Sequence, residues 1–321
     1  MEKQKTKKYL VLVIVSAWLV SVGALALLAT SSSGNSSNES ASSEAGTPDT
    51  EEGELQFNPP SLDDLDPEDP MTEYIIYGEE LFSESDTVMP DYVGNELSCA
   101  SCHADGGMAP ANSMVGVVPN FPEYNKRAGT VFTIEDRING CMVRSMNGEE
   151  LEEDSEEMRS MVAFLTYISE GIEVGEEIPW RTPSEMPEIP EPDIVNGEEL
   201  YETKNCMSCH ATDGSGTGAT TGPALWGDNS FNDGAGMARL TKAAGYIQDN
   251  MPVGQEGTLT DQEAADLAAF MLSQDRPEFG GHDNDWPHGR PTDIMDRERV
   301  EEIQNGTFDW TEIENVIPAD K

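Results

Sequence analysis

The pattern of apolar and polar positions opens with one unbroken apolar run. From Tyr9 to Ala29 no residue is charged, and a helix of that length, rising ~1.5 Å per residue, spans a bilayer core of about 30 Å. Lys3, Lys5, Lys7 and Lys8 precede the run and predict an N-terminus held in the cytoplasm. The run exceeds a signal-peptide core, so an uncleaved anchor is expected; Ala24-Leu-Ala26 also fits a cleavage site, and cleavage would give a secreted form. Residues 1–29 are therefore read as membrane anchor or signal. Residues 30–70 are rich in Ser, Gly, Glu and Pro, cannot bury enough apolar surface to fold alone, and are read as a disordered acidic tether.

Helical periodicity follows, and it occurs twice. Tyr77-Gly-Glu-Glu-Leu-Phe82 is matched by Asn196-Gly-Glu-Glu-Leu-Tyr201, an internal repeat. Each repeat closes on an amphipathic helix. In the first, Met158, Met161, Val162, Leu165 and Ile168 share a face within Ser155 to Ser169. In the second, Thr260-Asp261 offers a cap, an apolar stripe from Ala265 to Leu272 follows, and Arg276-Pro277 stops it. Such stripes are read as core. Between the repeats, Pro179, Pro183, Pro187, Pro190 and Pro192 predict a stiff, extended connector. The expected fold is mainly α: a unit at 71–172, a linker at 173–193, a second unit at 194–275 and a C-terminal extension at 276–321.

Cysteine spacing gives these units a chemistry. Cys99-Ala-Ser-Cys102-His103 and Cys206-Met-Ser-Cys209-His210 are two copies of Cys-x-x-Cys-His, the attachment signal of c-type haem. Two thiols bond to one edge of the porphyrin and the next residue gives the iron an imidazole. A zinc knuckle or redox dithiol fits less well, because both pairs carry the histidine and no further cysteine pair remains. The units are thus expected to be tandem cytochrome c domains with two covalently bound haems, preceded by an N-terminal transmembrane helix and lying outside the cytoplasmic membrane. Hydrophobic content of 37% is low; a porphyrin at the centre of each small core offsets it.

In the second unit, His210 is the expected proximal ligand. Gly222-Pro223-Ala224-Leu225 resembles the cytochrome c segment whose proline carbonyl accepts the imidazole N–H. Met251-Pro252, 41 residues after His210 and just before the last helix, resembles the distal loop. A thioether there raises the reduction potential and suits an electron exit. In the first unit, with His103 as proximal ligand, two residues compete: Cys141 lies 38 positions after His103 and Met146 lies 43 after it. Spacing alone favours Met146. The surroundings favour Cys141, because Lys126, Arg127, Arg137 and Arg144 cluster around it against only Glu135 and Asp136. Positive charge beside a thiol favours the thiolate and makes an anion site.

Overall charge sharpens that contrast. With the four N-terminal lysines and Glu2 set aside, 14 basic residues face 61 acidic ones, a balance of −47. Such a surface repels nucleic acid and anionic lipid and fits adaptation to salty or alkaline surroundings.

Both haem motifs, Pro122-Glu-Tyr-Asn-Lys-Arg127, and Arg137-Ile-Asn-Gly-Cys141 running into Arg144-Ser-Met-Asn-Gly148 together resemble the dihaem thiosulfate dehydrogenases, relatives of the sulfur-oxidation cytochromes with a cysteine-ligated haem. Arg276-Pro-Glu-Phe279 and Asp285 to Asp293 look like that family's C-terminal extension. The resemblance implies Cys141 as distal ligand and catalytic sulfur, Arg127 and Arg137 as holders of the dianion, and Ser145 as a hydrogen-bond donor. It implies coupling of two thiosulfates to tetrathionate, or the reverse, with electrons leaving through the His210/Met251 haem to another cytochrome or a terminal oxidase. Some members carry lysine before the distal methionine; Asn250 stands here, so a lysine/methionine exchange is not expected. His282 and His288 are expected on the surface. The rival function is a membrane-tethered dihaem electron carrier, which needs Met146 as ligand and no anion site.

Overall fold

Each terminal helix pair is organised around a glycine. In the computed structural model, which describes residues 55–182 and 184–318, the first unit runs through α1 (Met71–Ser83), the short α2 (Ser85–Val88), a hairpin of β1 (Glu123–Asn125) and β2 (Thr130–Phe132), α3 (Ile134–Met142) and α4 (Glu156–Tyr167). After β3 (Ile189–Pro190), the second unit runs through α5 (Ile194–Thr203), the short α6 (Met207–His210), α7 (Leu240–Asn250) and α8 (Asp261–Leu272). Then come α9 (Arg297–Gln304) and β4 (Val316–Ile317).

The first and last helices of each unit cross where the repeated sequence carries glycine. A Cβ on Gly78 would lie 2.0 Å from Ser160 O, and one on Gly197 would lie 2.2 Å from Asp266 O. Without side chains there, α1 packs on α4 and α5 on α8 with backbones in contact. The following residues fill each crossing in the same way: Phe82 meets Phe164 with ring centroids 5.7 Å apart, and Tyr201 meets Phe270 at 5.6 Å. The expected caps are present. Ser155 Oγ accepts from Met158 N, and Thr260 forms a capping box with Glu263. Met158, Met161 and Leu165 are buried, as their spacing predicts, and so is Ile168 just beyond the helix.

The described residues fall in one compact unit. The loop between α6 and α7 reaches onto the first unit: Asn232 Nδ2 donates to Val143 O at 2.9 Å and to Asn147 Oδ1 at 3.0 Å, while Asn95 Nδ2 donates to Ser230 O at 3.1 Å. The C-terminal extension adds Asp285, which pairs with Arg144 at 2.8 Å.

The connector is more than a spacer. Ile178, Met186 and Ile189 are buried, Met186 N donates to Thr241 O at 2.9 Å, and β3 pairs in parallel with β4. Its apolar residues between prolines supply the reason, since each has a core to enter. Residues 55–70, within the expected tether, include Ser61, whose carbonyl accepts from Tyr167 Oη at 2.6 Å, and Leu62 and Leu65, which pack on the core. The expected membrane helix lies outside the described residues; among these no helix is long and apolar enough to cross a membrane.

Candidate functional site

The first haem motif opens on a short 3-10 turn, Cys99–Ser101, where Ser98 N donates to Ser101 Oγ at 3.0 Å and Ser101 N donates to Ser98 O at 3.0 Å. Cys99, Cys102 and His103 line a cavity whose walls are mostly apolar, among them Phe82, Met161 and Leu165. His103 Nδ1 donates to Asn112 O at 2.7 Å, which fixes the tautomer and leaves the Nε2 lone pair free. Burial pushes this imidazole down to about 4; the bond to Asn112 opposes that, and Arg137 and Arg181 add to it. The ring is therefore neutral at physiological pH, as a metal ligand must be. Burial also pushes the Cys99 thiol up to about 12 and Cys102 up to about 11.

α3 supplies the facing wall. Its capping box, Thr133 with Asp136, starts the helix, and Ile134, Arg137, Ile138, Cys141 and Met142 then project to one side at helical spacing and line the cavity. Arg137 Nη1 donates to Cys141 Sγ at 2.6 Å. Electrostatic interaction with Cys141 is the main reason the Arg137 guanidinium is held above its ordinary value, against the opposing effect of burial. Ser145 and Met146 follow in the same wall. Cys141, Arg137 and Ser145 are thus brought together, and Met146, buried at 2% exposure, shares the cavity.

Arg127 is not among the lining residues. Its Nη1 donates to Gly234 O and its guanidinium lies over Trp286, 5.2 Å from the ring centroid. Burial, with Arg144 adding, lowers it to about 10, so it belongs to the same basic neighbourhood. Arg144 is engaged by the extension, through Asp285 and the face of Phe279 at 4.5 Å. Three further cations stand within electrostatic reach and were not evident from the sequence: Arg181 acts on His103, Arg239 on Arg127, and Lys242 feels Arg137. They come from the connector and from the second unit, so no local motif announces them. Phe231 and Met237, also from the second unit, complete the cavity wall.

The second motif forms α6, with Cys206 half-buried and Cys209 exposed. His210 Nδ1 donates to Pro223 O at 2.8 Å, the contact expected from Gly222-Pro223. Gly222 is needed there, because a Cβ would meet Cys209 O at 2.1 Å. Burial lowers the His210 imidazole. Tyr201, Trp226 and Phe270 pack as an aromatic trio beside the motif. Met251 caps the C-terminus of α7 and is half-buried. On the same helix, Tyr246 Oη donates to Cys102 O at 3.4 Å, linking the two motifs. In the extension, His288 is exposed, whereas His282 is partly buried and paired with Asp233 at 2.7 Å.

Two thiols and one neutral imidazole, repeated on two helical units, suit covalent haem. The first cavity also has the apolar lining of a cofactor pocket. Fold and sites define a dihaem c-type cytochrome. Family comparison agrees: the SoxA/TsdA cytochrome c domain matches residues 78–174 and cytochrome c matches residues 194–275. The thiosulfate dehydrogenase of Allochromatium vinosum is 40% identical over 222 residues, covering 66% of this chain and 82% of that protein. That of Psychrobacter arcticus is 38% identical over 259 residues, covering 78% of each. The solved thiosulfate dehydrogenase (TsdBA) of Marichromatium purpuratum superposes with a TM-score of 0.64 at 33% identity, over 69% of this chain and 50% of that one. The chain belongs to the thiosulfate dehydrogenase family of dihaem cytochromes, and it is an oxidoreductase with two covalently bound haems.

Proposed function

We propose that this protein couples two thiosulfates to tetrathionate, or runs the reverse reaction, at the first haem site. The observation that carries the reading is the 2.6 Å contact from Arg137 Nη1 to Cys141 Sγ inside the cavity shared with Cys99, Cys102 and His103. An ordinary electron-transfer cytochrome has no use for a cation on a lone cysteine in its haem pocket.

The chemistry divides into two steps. Cys141, as thiolate, forms a sulfur–sulfur bond with the first thiosulfate, and two electrons are released. The second thiosulfate attacks the sulfane sulfur bonded to Cys141 Sγ and breaks that Sγ–S bond, forming tetrathionate and returning Cys141 as thiolate. The two haems supply one-electron acceptors for the pair. Arg137 and Ser145 would hold sulfonate oxygens, and Arg127 would add to the positive field that offsets repulsion between two dianions. His103 and His210 would be the proximal iron ligands, Cys141 the distal ligand in the first unit and Met251 in the second, with electrons leaving through the second haem to a further cytochrome or a terminal oxidase. Covalent haem places both domains outside the cytoplasmic membrane, with the N-terminal segment as signal or anchor.

Thiosulfate-dependent reduction of an artificial acceptor tests this reading. Cys141→Ser should abolish it, and unchanged turnover would remove Cys141 from the mechanism. Met146 in the same wall is the observation that favours the electron-carrier reading. Electron paramagnetic resonance separates the two: a low-spin thiolate-ligated signal is expected, and two ordinary His/Met signals would sink the cysteine ligand.

A further inference from the structure

The connector carries a cation to the first haem site. Pro179–Arg181 forms one 3-10 turn, and Trp180 holds it in place. The indole Nε1 donates to Val115 O at 3.0 Å, and the ring meets Phe57 edge-on at 5.1 Å. Ile178 is buried beside Gly116, where a Cβ would lie 2.6 Å from Ile178 Cδ1. Val115 and Gly116 directly follow Met114, which lines the cavity, and Asn112, which accepts from His103. The turn is thus fastened to the segment that positions the proximal imidazole.

Nε and Nη1 of Arg181 are buried there and reach no acceptor among the described residues. Glu123, exposed on β1, attracts the guanidinium without forming one of the ion pairs of the described residues. The charge of Arg181 is felt by His103 and Arg137, both lining the cavity. Two donor atoms of a permanently charged fork, buried and without an acceptor, carry a desolvation cost that an anion would offset. The described chain supplies none within bonding distance.

Arg181 is not itself a lining residue of the cavity. We propose that it is an anion-binding residue at the edge of the first haem site, its buried Nε and Nη1 taking a carboxylate or oxyanion group of a molecule held there. The resident haem's propionate is the favoured source, because Arg181 sits on a fixed turn on the proximal side, whereas a substrate must enter and leave. Thiosulfate offers the same oxygen chemistry; that source rests on the proposed function, while the propionate source rests only on the haem.

The test uses the purified dihaem protein and its Arg181→Gln variant. Three quantities are compared: both haem midpoint potentials, the propionate bending bands in resonance Raman, and the KM for thiosulfate. Loss of the cation at a propionate should shift one bending band and lower one potential, leaving the other haem and the KM unchanged. A rise in KM of about tenfold, equivalent to ~1.4 kcal/mol, with the bands unmoved would assign the same donors to thiosulfate. Should the glutamine variant yield too little protein, Arg181→Lys keeps the charge and loses the fork, so the band or the KM should still move. Bands, potentials and KM all unchanged in Arg181→Gln, or bands and KM unchanged in Arg181→Lys, overturn the assignment.

Discussion

At the residue scale, the proposed function gives Arg137 two tasks that its chemistry allows it to combine. A guanidinium carries five N–H donors in a rigid fork. One reaches Cys141 Sγ at 2.6 Å, and others remain to hold a sulfonate oxygen in the same cavity. Lysine could not do both in a fixed geometry, being a point charge on a flexible stem. Replacing Arg137 by glutamine should therefore lower kcat/KM for thiosulfate by about 100-fold, the usual cost of removing a donor aimed at developing charge. Steady-state kinetics on the dihaem variant checks this, and a change within twofold would separate Arg137 from catalysis. The two residues were legible in the sequence as a cysteine within a basic cluster, and α3 adds the four-residue spacing that sets them on one face. Arg181 and Lys242 were not, because folding alone brings them near. Nor was Asn112, which takes the place of Pro223 in the first unit from a left-handed backbone, φ 51°, without the Gly-Pro signal.

At the scale of elements, the repeated Tyr/Asn-Gly-Glu-Glu-Leu-Phe/Tyr segments marked the opening helix of each unit, and the apolar stripes marked its last. The reason for the repeat lies in the crossing. Backbone contact at Gly78 and Gly197 requires hydrogen where other residues have Cβ, and the apolar pattern is silent on that. Gly78→Ala and Gly197→Ala should each destabilise the fold by at least ~1–3 kcal/mol, the range for overpacking a well-filled contact. That is the opposite of the gain alanine gives in an exposed helix. Denaturant midpoints measured on each variant test it, and a rise in either midpoint would show that the crossing can open without cost. The connector was the least legible element. Its prolines predicted an extended spacer, whereas Pro179–Arg181 forms a 3-10 turn, and Ile178, Trp180 and Ile189 lie too far apart for periodicity to reveal that they dock.

At the scale of the molecule, two electrostatic ranges act on a dianionic substrate with opposite sign. The chain carries a net charge of −44 at pH 7, which repels thiosulfate at a distance. Near the first haem site, under the proposed function, the cluster of Arg127, Arg137 and Arg144 would attract it, with Arg239 and Lys242 of the second unit within electrostatic reach of that cluster. Salt treats these ranges unequally. Raising ionic strength from 0.01 to 0.1 M shortens the Debye length from about 30 Å to about 10 Å, and exposed charges farther apart than that are screened while buried groups are screened much less. The long-range repulsion should therefore fade first. We expect kcat/KM for thiosulfate to rise over that interval with kcat nearly constant, because encounter is affected and the buried contacts are not. An uncharged acceptor keeps the second half-reaction from contributing its own salt dependence. A steady fall in kcat/KM over the same interval would mean that the basic neighbourhood dominates even at long range, and that the acidic surface has no influence on how substrate arrives.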